Sequence, residues 1–352
     1  MAESPTPSRT FRLGPVLIIG AVVGGAAIAF AYTAGWFSPN RLTPKKIVAA
    51  LAPPGGPALG HRRNHAKGIC FTGTFEANGA GSSLSKARVF VPGQYSVVGR
   101  FNLATADPNA ADAMVRVRGI GIEISMPDGQ KWRSAMIGAP IFPVSTPQGF
   151  YDLLTASGSK NPNAMKSFIA AHPEFTAFLN WAKTAPWTES YAEERYNSLD
   201  SFLFVDHTGI THPIRWSLVP EAKPVAISPE ELAKRGPDFL EQEITQRVAA
   251  SPQHWRLVVT VANPGDPTAD PNKAWPMDRR TVEVGRLTAQ QIEPERDGPC
   301  LNINYDPTVL PAGITTSDDP FPAARSAAYS RSYNSRTAEA SYYPGNSTGG
   351  KK

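Results

Sequence analysis

The sequence predicts an α+β domain with antiparallel strands, preceded by one apolar N-terminal helix. Three observations predict it. Strand-like segments follow one another through short turns between residues 71 and 136. Helical spacing takes over from 150 to 183, and strands return from about 200. Strands and helices are therefore grouped rather than alternating as β-α-β units, which marks an α+β domain. Finally, no charged residue lies between Arg12 and Arg41.

That uncharged stretch has its core at 15–37, PVLIIGAVVGGAAIAFAYTAGWF. A hydrocarbon layer needs about 20 apolar residues, so the run is long enough to cross one. Tyr32, Trp36 and Phe37 lie near one end, where aromatic residues favour the headgroup zone. The expected division is a tail at 1–12, a transmembrane anchor at 13–37, and a linker at 38–60. A cleaved signal peptide competes with the anchor, because Ala29-Phe30-Ala31 has the small-x-small form of a cleavage site. The anchor is preferred, since the apolar run exceeds a signal core and continues past that site. Arg9 and Arg12 before the span are balanced by Arg41, Lys45 and Lys46 after it, so the positive-inside rule gives no orientation. A short tail ahead of a large domain favours export of the domain, to the periplasm.

Within the linker, Thr43-Pro44 starts a short helix through Leu51, with Thr as N-cap and Pro at the first position. The main domain is expected at 61–337. Its strand-like segments are 71–76, 94–103, 115–125 and, more weakly, 131–136, with Pro127-Asp128-Gly129 as a turn. Helical spacing is read at 150–156, 163–171 and 174–183, and strands at 200–220 and 255–263. The region 305–337 reads as loop followed by an Ala- and Arg-rich helix. Residues 338–352, with a formal glycosylation sequon at 346–348, read as a disordered tail.

Composition bounds the function. The 352 residues are 41% hydrophobic and 18% charged, which suits a folded chain with a buried core. The net charge of +5 is spread out with no basic run, so nucleic-acid binding has no support. Two cysteines, Cys70 and Cys300, with no C-x-x-C, make a thiolate metal site unexpected. They are either a disulfide of an oxidising compartment or two buried thiols.

Two segments carry chemistry. The first is His61-Arg62-Arg63-Asn64-His65-Ala66-Lys67-Gly68. The second is Arg325-Ser326-Ala327-Ala328-Tyr329, in which Arg and Tyr four apart share a helix face. Taken singly, each reads as surface charge or an ordinary histidine. His207 and His212 read as a hairpin, His172 and His254 as surface, and Trp181, Trp187, Trp216 and Trp255 as core or interface.

Together and in this order, the two segments resemble the catalase superfamily. That family has an Arg-x-x-His-Ala-Lys-Gly segment near its start and an Arg-x-x-x-Tyr helix later. Arg336 stands seven residues after Tyr329, where the family has an arginine. Arg100-Phe101, Arg118-Gly119 with Ile-Gly-Ile, and Pro140-Ile141-Phe142 with Pro147 and Phe150 match further family stretches. The closest resemblance is to the small single-domain catalase-related peroxidases, over about residues 40–337. It includes the stretch from Asn304-Tyr305-Asp306-Pro307 to Arg325. It implies an antiparallel β-barrel core with surrounding helices and a haem, of the b type.

By the resemblance, Tyr329 is the iron ligand. Tyrosine ordinarily ionises near pH 10, so Arg325 is placed to favour the anion. Arg62, Arg100 and Arg336 correspond to arginines at the haem propionates, a role suited to a permanently charged bidentate donor, and Phe142 to a residue of the haem pocket. His65 is the catalytic acid–base group, which takes a proton from peroxide and returns it to the leaving oxygen.

The sequence departs from true catalases at two places. Gly138 stands where they have a distal asparagine, and Asn102 where a serine bonds the histidine. An asparagine carbonyl can still accept the imidazole N–H. The lost amide is expected to weaken oxidation of a second peroxide more than O–O cleavage, and Gly138-Ala139 to widen an apolar pocket. The expected function is a peroxidase for organic hydroperoxides, more weakly for hydrogen peroxide, with a reducing donor and little catalase activity. A homo-oligomer is compatible with this. Two rivals are a catalase-fold fatty-acid hydroperoxide isomerase of the allene oxide synthase kind, and a non-enzymatic, membrane-tethered haem carrier.

Overall fold

A computed structural model describes residues 13–38, 41–53 and 55–342. The expected tail at 1–12 and the sequon at 346–348 lie outside them. The chain divides into two units, 1–43 and 44–352. In the first, helix α1 (Leu13–Thr33) has a mean hydropathy of 2.2 and is long and apolar enough to cross a membrane. Length and composition of this kind fit a span or a signal sequence.

The second unit begins with α2 (Pro44–Ala50), where the Thr43-Pro44 signal placed a helix. Its core is a closed barrel. The strands are β1 (Gly68–Ala77), β2 (Gly93–Leu103), β3 (Arg118–Ser125), β4 (Lys131–Ile137), β5 (Trp187–Thr188), β6 (Tyr196–Asn197), β7 (Phe202–Val205), β8 (Thr211–Pro220), β9 (Ala226–Ile227), β10 (Gln253–Val261), β11 (Thr281–Glu293) and β12 (Ile314–Thr316). Eight of them pair in the ring β1-β2-β3-β4-β6-β8-β10-β11 and back to β1, every pairing antiparallel. Closure removes sheet edges that would otherwise expose unpaired backbone groups. β7 and β12 extend the sheet from β8, and β5 pairs with β9 as a separate ribbon.

Around the barrel lie α3 (Pro147–Ser157), α4 (Ala164–Ala171), α5 (Phe175–Thr184), α6 (Pro229–Leu232), α7 (Phe239–Ala250) and α8 (Phe321–Tyr342). Thr146 caps α3 by accepting the Gly149 N–H at 3.0 Å, with Pro147 at the first position. α8 runs on to Tyr342, past the expected boundary at 337, and residues 343–352 lie outside the described ones. α7 and β11 are elements that the sequence pattern did not reveal.

Strand alternation sorts the two faces of the barrel wall. On β2, Phe101 is fully buried and its ring stacks on Phe71 at 4.7 Å and on Tyr191 at 5.3 Å. Truncating such a residue costs about 3–5 kcal/mol. Its neighbours Arg100 and Asn102 point the other way, toward α8 and the functional pocket. Trp216 and Trp255 are core residues, as expected, while Trp181 and Trp187 are partly exposed and sandwich the Arg116 guanidinium at 4.6 and 5.0 Å.

Cys70 and Cys300 form a disulfide and are not two buried thiols. It ties β1 to the loop after β11 across a sequence separation of 230. Closing so long a loop restricts the unfolded chain by on the order of 5 kcal/mol. Thermal unfolding with and without reductant is expected to show a Tm several degrees lower for the reduced protein. An unchanged Tm would mean the loop is held by its other contacts alone.

Candidate active site

One large pocket, about 1330 Å³ including its open mouth, lies between the barrel wall and α8. It brings together all the residues singled out from sequence: Arg62, His65, Arg100, Phe142, Arg325, Tyr329 and Arg336. α2 with the residue after it, and α3, line its sides with Ile47, Val48, Leu51, Pro147 and Phe150.

α8 supplies one wall. Asp319 accepts the Phe321 N–H at 2.9 Å and starts the helix. Arg325, Tyr329, Ser332 and Arg336 then follow at helical spacing along the pocket. Arg325 Nη2 donates to the Tyr329 hydroxyl oxygen at 3.1 Å. The same guanidinium donates to Asp200, which is 3% exposed, and to the Ala135 carbonyl at 2.8 Å. Burial works against the charge on Arg325, but Tyr329 and Asp200 outweigh it and hold the guanidinium protonated. Burial pushes the Asp200 carboxyl up against the pull of Arg325. Asp200 is a site residue that sequence reasoning missed; it sits in a loop between short strands, and nothing local marks it.

The facing wall carries His65. Its ring Nδ1 lies 2.6 Å from Asn102 Oδ1, and Asn102 Nδ2 donates to the Arg100 carbonyl at 3.2 Å. The second bond fixes which end of the amide faces the histidine. Oδ1 only accepts, so Nδ1 carries the proton and Nε2 keeps a lone pair. Asn102 therefore does what was expected of it. Gly119 makes the arrangement possible, because a Cβ there would meet Asn102 Oδ1 at 2.4 Å. Burial, and then the nearby arginines against the Asn102 bond, push the His65 imidazole down to about 4.

Lys67 and Gly68 of the same segment are structural. Lys67 Nζ lies 2.7 Å from both Asp112 and Asp238, and donates to the Ala110 and Pro237 carbonyls at 2.8 and 2.7 Å. Gly68 lies under Arg100, where a Cβ would stand 2.6 Å from the guanidinium carbon and 2.3 Å from the Phe101 carbonyl oxygen.

The three arginines at the pocket edge differ in how many N–H groups they have left. Arg62 donates to the carbonyls of Cys300 and Ile303 at 3.1 and 3.2 Å and to Glu295 at 3.4 Å. Arg100 is held by Glu295 and by backbone carbonyls of the His65 segment. Arg336 is engaged at Nη2 alone among the described residues, by the Leu301 carbonyl at 2.7 Å. Burial lowers the Arg62 guanidinium to about 10 and also pulls Arg336 down. Burial raises the Glu295 carboxyl, but Arg100 and Arg62 more than reverse this and keep it ionised.

Gly138 and Ala139 do not widen the pocket. Ala139 is fully buried, and a Cβ on Gly138 would face Glu194 at 2.8 Å. The wall there is formed by Met136, Ile137, Asn197 and Leu199. Four of the other histidines lie elsewhere: His207 is exposed in its hairpin, His212 pairs with Asp206 at 3.2 Å, His172 bonds Glu174 and His254 bonds Thr288.

Known proteins resemble this chain in sequence and in fold. The catalase family model matches residues 58–344. A catalase-related peroxidase of Synechococcus elongatus is 34% identical over 338 residues, covering 94% of this chain and 98% of the relative. A catalase-related peroxidase of Mycolicibacterium paratuberculosis is 31% identical, covering 84% and 95%. Among solved structures, a fungal catalase superposes with a TM-score of 0.70 at 17% identity over 80% of this chain. Catalase A from Saccharomyces cerevisiae gives 0.71 at 16% over 78%. The chain spans about 60% of the length of those two catalases.

Proposed function

The chain belongs to the catalase family, and from that premise we propose that it is a haem-dependent peroxidase that reduces organic hydroperoxides in preference to hydrogen peroxide. Its relatives make it an oxidoreductase acting on peroxide, and its family implies haem binding. Tyr329 is the iron ligand in this reading and His65 the catalytic group.

The residues present fit the cofactor. Tyr329 presents its hydroxyl oxygen to the pocket with the Arg325 guanidinium donating to it at 3.1 Å, and tyrosine oxygen is a ligand for haem iron. The free N–H groups of Arg336 suit a propionate, while Arg62 and Arg100 add positive charge beside it. Phe142, packed on Phe150 and Phe321, contributes an apolar edge. Haem, when bound, supplies the redox chemistry that cleaves the O–O bond.

The observation that carries the reading is the His65–Asn102 pair, which leaves Nε2 as a base inside the pocket. Nε2 takes a proton from the incoming hydroperoxide and returns it to the oxygen that departs. Asn102 keeps the proton on Nδ1 throughout. The pocket lining includes the apolar side chains of Ile47, Val48, Leu51 and Phe150. This apolar lining favours a hydroperoxide with an organic group over hydrogen peroxide.

Steady-state oxidation of a dye donor tests this, with cumene hydroperoxide and hydrogen peroxide compared and oxygen release recorded. A higher kcat/KM for the organic peroxide with slow oxygen evolution is expected. Fast oxygen evolution from hydrogen peroxide would overturn it. The reading also places the catalytic unit outside the cytoplasm on a single-pass anchor, supported by the apolar α1 and by a disulfide that suits an oxidising compartment.

A further inference from the structure

We infer that Glu295 is a positioning residue for the peroxide reaction: it grips Arg100, and through Arg100 it fixes the backbone on which the His65 imidazole is mounted. The inference rests on the assignment of His65 as the proton-transfer group.

His65 is one of the few described non-glycine residues with positive φ, at 56°. L-residues are strained in this left-handed region, so the conformation persists only when its surroundings impose it. Two contacts do so. From one side, Asn64 Oδ1 accepts the His65 N–H at 2.9 Å. From the other, Arg100 Nη1 donates to the His65 carbonyl at 2.8 Å and Nη2 to the Ala66 carbonyl at 3.2 Å.

Arg100 must itself be aimed. Its Nε and Nη2 donate to the two oxygens of Glu295 at 2.9 and 2.7 Å, a fork-to-fork pair. A guanidinium has five N–H groups. The four contacts to Glu295, His65 and Ala66 use most of them, and Gly68 leaves room for the plane to lie flat. Arg100 therefore works on the catalytic segment more than on the open pocket. Glu295 sits in the loop just past β11, and the Cys70–Cys300 disulfide pins the far end of that loop. Rigidity passes from disulfide to loop, from loop to carboxylate, and from carboxylate to guanidinium and His65 backbone.

The test uses the full chain with Glu295→Gln, Glu295→Asp and, as a second route to the same lesion, Arg100→Lys. Lysine keeps the charge but loses the fork. Hydrogen exchange is followed in the haem-free protein. In Glu295→Gln and Arg100→Lys, a peptide covering 62–68 is expected to exchange about tenfold faster, with the barrel strands unchanged. In haem-loaded Glu295→Gln, the rate of reaction with peroxide is expected to fall by about 10- to 100-fold at unchanged haem content and KM for the donor. Glu295→Asp is expected to recover most of that rate. Wild-type exchange and wild-type rate in Glu295→Gln would overturn the inference, as would a rate loss that follows haem loss. Exchange is read without haem, so it judges the inference even if His65→Ala proves active and the assignment of His65 fails.

Discussion

Replacing His65 with alanine is expected to slow the reaction with hydroperoxide by about 10²–10⁴-fold, the range supplied by a positioned acid–base group. Haem content is expected to remain, because His65 bonds Asn102 and not the tyrosine wall. A haem carrier needs no base at this position, and its binding function would survive the substitution. The pH profile of the wild type checks the same residue. Burial is the main cause that lowers the His65 imidazole to about 4. The base is then present above that value, so the rate is expected to hold down to about pH 4–5 rather than fall below the ordinary value near 6.5. The sign for stability follows. Between 6.5 and 4 the unfolded chain takes up a proton that the folded histidine refuses, so stability falls as pH falls through that window. Stopped-flow rates and denaturant unfolding between about pH 4 and 8 measure both.

Arg325→Met is expected to be the most damaging substitution for stability. It removes the partner of Asp200, which is almost wholly buried, and leaves a carboxylate unpaired. Breaking a buried pair in this way costs about 3–5 kcal/mol. It also removes the donor to Tyr329, so weaker haem binding is expected as well. Burial alone then raises the Asp200 carboxyl, so the folded variant binds a proton that the unfolded chain lacks. The loss is therefore largest at neutral pH and shrinks as pH falls toward the raised value. Urea unfolding at two pH values and haem titration of the refolded protein check this. A variant as stable as wild type at neutral pH would mean that Asp200 finds another partner or water.

Much of the site was legible because its residues lie in short segments. The Arg-x-x-His-Ala-Lys-Gly run and the Arg-x-x-x-Tyr pair keep fixed spacing, and strand alternation placed Arg100 and Asn102 on one face of β2. The barrel was legible as a set of strands, but not β11, where Arg286, Gln290 and Gln291 interrupt the apolar rhythm. α7 was missed because Glu241, Gln242, Glu243, Gln246 and Arg247 dilute its apolar face. The partners that tune the site were hidden for a different reason. Asp200 meets Arg325 across 125 residues and Glu295 meets Arg100 across 195, and no local pattern encodes such pairs. Position 138 was misleading, since alignment identifies a missing amide but not the direction in which the glycine faces.

Everything in the proposed chemistry depends on Tyr329, held by Arg325, binding haem iron. The direct measurement is the absorption spectrum of the detergent-solubilised full chain, wild type against Tyr329→Phe, after loading with haem. A Soret band with high-spin ferric features is expected in the wild type, with its collapse or displacement in the variant. An identical spectrum in both proteins, or no haem taken up by the wild type, would contradict the assignment.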